Sequence, residues 1–234
     1  MERTDQMIAD AETTSTQKQY QYSGHILMAL REDISPDRFN TYLKHASGAH
    51  ELAMQLYTWN IALGSAFHGP LQALEVTLRN AVHNQLTSRH SDLWFNNPAL
   101  LKQNQQGSVQ RAARELKKQK KQSTAGRMVA ELSFGFWVSL FARRYDALLW
   151  RTDLHRVFSP QPNRQKLYNQ LNRLRTLRNR VAHHEPILQR DLKTDYEKLL
   201  WILEMLSPEA ASWVTHHSRV NEVLEAKSHS IARF

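Results

Sequence analysis

The stretch RQKLYNQLNRLRTLRNRVAHH, residues 164–184, has the spacing of a long amphipathic helix. When each residue is advanced by about 100°, one apolar stripe forms, which consists of Leu167, Leu171, Leu174, Val181 and, at its edge, Leu177. A stripe of this kind needs other helices to cover it. We therefore expect a helix packed on its neighbours, and Pro186 predicts that this helix ends near His183 or His184.

The same helical periodicity recurs along most of the 234-residue chain, whereas the alternation typical of strands is scarce. Only seven glycines and seven prolines are present, which leaves little material for tight turns between strands. The sequence therefore predicts an all-α fold. Its predicted elements are a helix from Ser35–Pro36, helices over residues 50–69 and 70–90 with a break at Gly69–Pro70, a basic helix over 108–121, a buried apolar segment over 128–150 with a turn at Gly135, and helices over 164–184 and 192–208.

The composition limits the possible domain organisation and the cellular compartment of the protein. We expect a flexible tail over residues 1–22, one helical domain over 23–206 and a helical extension over 207–234. No run of about 18 apolar residues occurs and the N-terminus has no apolar signal-peptide core, so no membrane segment is expected. The absence of cysteine excludes disulfides, thiolate nucleophiles and cysteine-based zinc sites. These features together predict a cytoplasmic protein.

The charge is strongly positive and unevenly placed. The net charge is +9, and the sequence pI is about 9.9. Residues 102–122 hold seven basic side chains against Glu115 alone, which is six of the nine net charges. Such a balance favours a polyanionic partner through phosphate neutralisation. The candidate phosphate contacts are the four lysines at the end of this segment, Lys117, Lys118, Lys120 and Lys121, although the charge alone does not distinguish RNA from DNA.

Two charged residues interrupt apolar stripes on two different helices. Arg178 falls between Leu171 and Leu174, whereas the nearby Arg173, Arg175 and Arg180 point away, as surface arginines do. Glu75 projects from the stripe of the helix that follows Pro70, with Arg79 beside it. Because an unpaired buried charge is very costly, Glu75 and Arg178 are natural partners if the two helices pack. The pair is then either a structural ion pair or a device that directs Arg178 towards a phosphate.

The histidines at the end of the same helix suit proton transfer, since the ordinary pKa of histidine lies near neutrality. Asn179 and His183 share a helix face, but Arg178 and His183 lie about 140° apart on an ideal helix. They converge only if the helix end bends or a second chain contributes. A histidine there can also cap the helix. Neither His183–His184–Glu185 nor His216–His217 has the usual metal-ligand spacing, so no metal site is expected.

A family resemblance rests on these residues. RNRVAH, residues 178–183, matches the Arg-x4-6-His signature of the HEPN superfamily, in which a polar residue commonly follows the arginine. The order of three segments, LQALEVTLRNAVHNQL, ELSFGFWVSLF and LRNRVAHHEPI, resembles the Abi-like (AbiD/AbiF) branch of bacterial abortive-infection proteins. The resemblance covers most of the chain, from ISPDRFNTYL to LLWILEML.

The resemblance implies a HEPN-like helical bundle with additional helices that often forms a homodimer. It implies an endoribonuclease of phage defence, toxin-like in some relatives and controlled by an antitoxin or a phage trigger. Carried over by position, Arg178 and His183 are the catalytic pair and Asn179 assists, while Glu75, Arg79 and His184 are supporting residues. RNA supplies its own nucleophile, the 2′-hydroxyl, so neither a cofactor nor a metal is expected.

Two alternatives stay open from the sequence. A non-catalytic RNA-binding or protein-interaction HEPN module also accounts for the basic segment, and it predicts salt-sensitive RNA binding without cleavage. A DNA-binding regulator accounts for the charge, but no helix-turn-helix pattern supports it. His183 and His184 are adjacent, so the choice between them as the catalytic histidine depends on spacing alone.

Overall fold

A computed structural model describes residues 21–226, and residues 1–20 and 227–234 lie outside this part. The predicted all-α class is confirmed, because the described residues form helices and short 3-10 or π turns and contain no strand. The chain divides into two compact units, Met1–Tyr57 and Thr58–Phe234. The α-helices are α1 (Gly24–Ile34), α2 (Pro36–His45), α3 (His50–Arg89), α4 (Gln103–Lys118), α5 (Ala125–Glu131), α6 (Phe134–Ser139), α7 (Arg164–Ala182), α8 (Leu192–Leu206), α9 (Pro208–His217) and α10 (Val220–Glu225).

The first unit holds α1, α2 and the first two turns of α3. The helix start predicted at Ser35–Pro36 is confirmed, since Pro36 occupies the first turn of α2 and the Arg38 amide donates to Ser35 Oγ at 3.4 Å. The Tyr42 ring is fully buried and packs edge-to-face on Tyr57, with ring centroids 5.2 Å apart. Burial, with a smaller contribution from Tyr57, raises the pKa of Tyr42 to about 12.

The predicted break at Gly69–Pro70 is wrong, because α3 runs through Pro70 as one helix of 40 residues. A proline inside a helix costs about 3 kcal/mol through a lost hydrogen bond and a steric clash. Gly69 has no Cβ to clash with the proline ring, which lowers this cost. Phe67 and Leu71 are buried on the two sides of the proline, and each buried side chain of this size contributes about 1.5–3 kcal/mol. The free energy gained by burying these side chains therefore outweighs the cost of the proline.

The basic helix α4 begins five residues before its predicted start at residue 108. Its polar first turn is stabilised by buried hydrogen bonds with later parts of the chain. The Gln105 side-chain amide donates to Ser139 Oγ at 3.0 Å, and the Tyr145 hydroxyl donates to Gln105 Oε1 at 2.9 Å. The periodicity of one segment contains no information about hydrogen-bond partners so far away in the sequence.

The apolar segment predicted over residues 128–150 is buried, with Trp137, Phe141 and Tyr145 fully inaccessible. It forms α5, α6 and short turns over Arg143–Tyr145 and Asp146–Trp150. The turn predicted at Gly135 is wrong. The break falls between α5 and α6, where Ser133 Oγ accepts a hydrogen bond from the Phe136 amide at 3.3 Å and starts α6.

Helix α7 starts at Arg164 as predicted and ends at Ala182, two residues before the end of the predicted span, with His183 as its C-terminal cap residue. Two details of the predicted stripe are wrong. Leu177 is fully buried rather than at the edge. Arg173 is an ion-pair partner of Asp195, a fully buried carboxylate on α8 that also accepts from Arg190 Nε at 2.9 Å. A helical wheel of α7 alone contains no information about an acid on α8.

The described part of the predicted C-terminal extension, residues 207–226, forms α9 and α10. Val214, Val220 and Val223 are buried in the core of the second unit. The indole Nε1 of Trp59 on α3 donates to the Val223 carbonyl at 3.0 Å. Apart from residues 21 and 22, the predicted N-terminal tail lies outside the described residues, and so does the end of the extension from residue 227.

Candidate functional site

The two charges that interrupt the stripes of α3 and α7 form an ion pair. Arg178 Nε donates to Glu75 Oε2 at 3.1 Å, with 40% of the arginine and 17% of the glutamate side chain exposed. Arg178 therefore lies at the border of the buried stripe rather than at its centre. A guanidinium has five N–H donors, and the Glu75 contact uses one of them. A pair this exposed contributes only about 0–1 kcal/mol to stability, which makes orientation of Arg178 its main effect.

The end of α7 turns its last histidine out of the helical path. The Glu185 amide donates to the Arg180 carbonyl at 2.8 Å and the His184 amide to the Val181 carbonyl at 3.2 Å. This is the Schellman pattern, which needs a residue with a left-handed backbone, usually glycine. Here that residue is His184, with φ of 55°. A non-glycine residue in this region costs about 1–3 kcal/mol, and Lys120 has a similar φ of 56°.

The chain after His184 is anchored to the core. The Arg180 guanidinium donates to the Pro186 carbonyl at 3.0 Å. The buried Ile187 amide donates to Oδ1 of Asn60 on α3 at 2.8 Å. These two bonds fix the backbone on the far side of His184, so its position does not depend on the left-handed residue alone.

Helices α3 and α7 border one cleft of about 600 Å³. Two arginines and one glutamate line it, so its formal charge is positive when the histidines are neutral. Its polar lining comes from His68, Gln72, Glu75 and Arg79 on α3 and from Arg178 and His184 at the end of α7.

Four of the predicted site residues therefore lie together, namely Glu75, Arg79, Arg178 and His184. Asn179, His183 and His184 are all exposed, and of these three only His184 is part of the cleft lining. The Asn179 carbonyl accepts the His183 amide at 2.9 Å, so this backbone contact closes the helix. Arg178 and His183 were expected to lie about 140° apart on the helix. It is His184, just past the helix end, that lines the cleft with Arg178.

Arg79 differs from Arg178 in how its guanidinium is satisfied. Its Nε is buried and has no hydrogen-bond partner among the described residues, although the side chain lines the cleft. A buried donor without an acceptor costs about 1–3 kcal/mol, and more when the group is charged. Arg79 therefore carries one unsatisfied buried donor beside the cleft.

The sequence reasoning missed His68 and Gln72, which line the cleft from α3. Gln72 lies one turn and His68 two turns before Glu75 on the same helix, so all three side chains face the same side. The signal was available in the i, i+3/i+4 spacing from Glu75. The predicted helix break at Gly69–Pro70 obscured it, because it placed His68 on a different helix.

A family model with the description "Abi-like protein" matches residues 14–189 of the 234-residue chain. The chain belongs to the Abi-like family. The match begins before ISPDRFNTYL and ends before LLWILEML, which are the limits of the resemblance seen in the sequence. No curated protein and no solved structure matches the Abi-like chain significantly. Family membership links it to abortive infection, a bacterial defence against phage.

The predicted RNA-binding lysines of this Abi-like protein all lie at the end of α4. Lys117 and Lys118 occupy its last turn, Lys120 and Lys121 follow it, and all four side chains are exposed. Lys120 has a left-handed backbone with φ of 56°. The four lysines therefore form one exposed cationic surface.

A groove beside these lysines adds cations that the prediction did not include. It has a volume of about 470 Å³ and is lined by Arg111, Arg114 and Lys118 of α4, with Glu115 and Glu131 as the acidic members. Arg111, Arg114 and Lys118 are spaced i, i+3 and i+7, which places them along one face of the helix. The basic surface is thus wider than the lysine cluster.

Two features are absent from the part of the chain that the structure describes. No group of three or more histidine, aspartate or glutamate side chains has an arrangement that could hold a metal ion. Over the same residues, no helix combines the length and the apolar character needed to cross a membrane.

Proposed function

We propose that this Abi-like chain is a metal-independent endoribonuclease of the HEPN type, acting in the cytoplasm in bacterial defence against phage. The observation that carries the proposal is that Arg178, oriented by Glu75, and His184 line one positively charged cleft within a single chain. Arginine and histidine suit RNA cleavage through the 2′-hydroxyl, since arginine stabilises phosphate charge and histidine transfers protons near neutral pH.

Arg178 binds the scissile phosphate in this proposal. The Glu75 contact leaves donors of the guanidinium for two non-bridging phosphate oxygens, whose negative charge grows as the bond to the 2′-oxygen forms. Arg79 donates to the same phosphate or to the next one. With two arginines against one glutamate, the cleft favours the phosphate over neutral ligands.

The reaction needs one group to take a proton and one to give a proton. A base takes the proton of the 2′-hydroxyl as its oxygen bonds to phosphorus. An acid then gives a proton to the 5′-oxygen as the bond between this oxygen and phosphorus breaks. The products are a 2′,3′-cyclic phosphate and a 5′-hydroxyl. His184 and His68 line the same cleft, and we assign one role to each of them.

His184 replaces His183 as the proposed catalytic histidine. The Arg-x4-6-His pattern accommodates either residue, because His183 follows Arg178 after four residues and His184 after five. The cleft lining includes His184 but not His183. His183 then serves as the cap residue of α7, and Asn179 supports the helix end rather than the chemistry.

The oligomeric state and the regulation belong to the same proposal. A homodimer is expected from the family resemblance, although convergence of Arg178 and His184 does not depend on a second chain. An antitoxin would hold the cleft inactive, or a phage component would trigger its activity on infection. The exposed lysines Lys117, Lys118, Lys120 and Lys121 bind RNA phosphates outside the cleft.

Incubation of the purified chain with RNA in EDTA tests this function. We expect cleavage by the wild type, 5′ fragments that end in a 2′,3′-cyclic phosphate, and a loss of about 10²–10³-fold in rate for Arg178→Ala. Arg143→Ala, at an exposed arginine outside the cleft lining, is the control and should retain activity. Cleavage that stops with the chelator, or that survives in Arg178→Ala, contradicts the proposal. RNA binding without any cleavage identifies the non-catalytic module instead.

A further inference from the structure

A second aromatic and basic cluster lies outside the cleft, at the end of α9. Trp213 is 60% exposed. His217 lies one helical turn later, with its ring centroid 5.8 Å from that of Trp213. The His216 ring meets the His217 ring edge-on at 4.7 Å. Of the six tryptophans, Trp213 is the only one whose ring is mainly exposed, and all six lie in the described residues.

His217 also borders a small cavity of about 190 Å³ between the end of α9 and α3. This volume is below the roughly 300–1,000 Å³ typical of pockets for drug-sized ligands. The cavity contains hydroxyl and guanidinium groups as well as apolar surface. Its polar lining consists of Ser65, His217, Ser218 and Arg219.

The cavity is adjacent to the cleft along α3. Ser65, Gly69 and Pro70 line the cavity, whereas His68 and Gln72 line the cleft. From Gly69 to Gln72 the helix advances by about 4.5 Å, which is less than one turn. A ligand that lies along this part of α3 therefore reaches both places.

We propose that Trp213 and His217, together with this cavity, form a binding subsite for one unpaired base of single-stranded RNA next to the scissile phosphate. The inference rests on the proposed function. Unpaired bases stack on exposed aromatic rings, and their edges accept and donate hydrogen bonds. Trp213 supplies the stacking face, the serine hydroxyls meet the base edge and Arg219 meets the adjacent phosphate.

The size of the exposed apolar surface favours a base over a protein partner. A stable protein interface buries about 800 Å² on each side and has an apolar centre. Around Trp213, the neighbouring Ser212, Thr215 and His216 are exposed polar residues. One exposed indole among polar side chains is the arrangement expected for base stacking.

The test measures binding of a labelled 2′-O-methyl oligoribonucleotide, which cannot be cleaved because its 2′-oxygen carries no proton. We expect Trp213→Leu to weaken binding by about tenfold and Trp213→Phe to retain most of the affinity. Tryptophan fluorescence of the wild type should be quenched at saturation, and this quenching should disappear in Trp213→Phe. Ser65→Glu should weaken binding by charge repulsion, whereas Ser65→Gln, its uncharged match, should weaken it less.

The proposal is overturned if the wild type does not bind the oligomer, if Trp213→Leu binds it as the wild type does, or if saturation leaves the fluorescence unchanged. A change of oligomeric state in Trp213→Leu with unchanged RNA affinity also overturns it, since the surface is then a protein interface. Failure of the proposed function is distinguishable. In that case RNA is not cleaved, but quenching through Trp213 persists in both the wild type and Arg178→Ala.

Discussion

The C-terminal ends of α4 and α7 share one hydrogen-bond pattern but differ in their surroundings. At α4 the Lys121 amide donates to the Leu116 carbonyl at 2.9 Å, and at α7 the Glu185 amide donates to the Arg180 carbonyl at 2.8 Å. Lys120 and His184 occupy the left-handed position with φ of 56° and 55°. Glycine is the usual residue at both places, so each helix end accepts the same backbone strain.

The difference lies in what the left-handed residue contacts. Lys120 is exposed among other lysines. His184 lines the cleft beside Arg178, and the chain after it is anchored by Asn60. In the proposed function, the same backbone geometry presents a phosphate contact at the end of α4 and an acid–base group at the end of α7. Conformation alone does not distinguish His184 from Lys120, and it is the charged cleft beside His184 that supports the catalytic role proposed for it.

The anchor after α7 provides the largest expected effect on stability. Asn60→Ala leaves the buried Ile187 amide without its acceptor, which should cost about 1–3 kcal/mol of unfolding free energy. Chemical denaturation measures this loss, and RNA cleavage should fall as well because His184 loses its fixed position. Asn84→Ala, at an exposed position of α3, is the control and should change stability by less than about 0.5 kcal/mol. If Asn60→Ala is as stable as the control, the hydrogen bond from Ile187 to Asn60 does not anchor the chain after α7.

The lysines at the end of α4 should affect affinity and not chemistry. We expect glutamine at Lys117, Lys118, Lys120 and Lys121 together to weaken RNA binding by about tenfold or more at moderate salt. The slope of log affinity against log salt should decrease by up to about 3, or 0.7 for each lost phosphate contact on a single strand. The cleavage rate at saturating RNA should stay unchanged. A lower saturated rate with unchanged salt dependence contradicts the assigned role.

Glycine at the two left-handed positions should give the smallest effect and the most direct comparison. Lys120→Gly and His184→Gly each relieve backbone strain, which we expect to raise the unfolding free energy by about 0.5–1 kcal/mol. Thermal denaturation of the two variants measures the gain. Lys120→Gly should retain cleavage, whereas His184→Gly should be stable and inactive. Loss of stability in both variants would mean that the side chains, and not the backbone, hold these helix ends.

Periodicity predicted most of the helices because their apolar faces lie within single segments. The bounds of α7 and the start of α2 follow from local signals such as Ser35 and Pro186. The break at Gly69–Pro70 was predicted wrongly because the burial that carries α3 through the proline comes from distant segments. The first turn of α4 was missed for the same reason, since Gln105 bonds to Ser139 and Tyr145.

The site could be predicted in part. Arg178 and Glu75 stood out because each is charged on an apolar stripe, and the structure contains this pair. The position of His184 depends on a left-handed backbone that no helical periodicity contains. His68 lies on the same helix as the other α3 residues of the cleft only because α3 continues through Pro70. Arg173 was placed wrongly because its partner, Asp195, lies on another helix.

The central claim is that His184, and not His183, acts with Arg178 in RNA cleavage. The most direct measurement compares the single-turnover cleavage rates of His183→Asn and His184→Asn on one RNA in EDTA, since asparagine tolerates both backbone positions. We predict that His184→Asn lowers the rate by about 10²–10⁴-fold while His183→Asn stays within a few-fold of the wild type. A large loss in His183→Asn, with His184→Asn still active, would contradict the account.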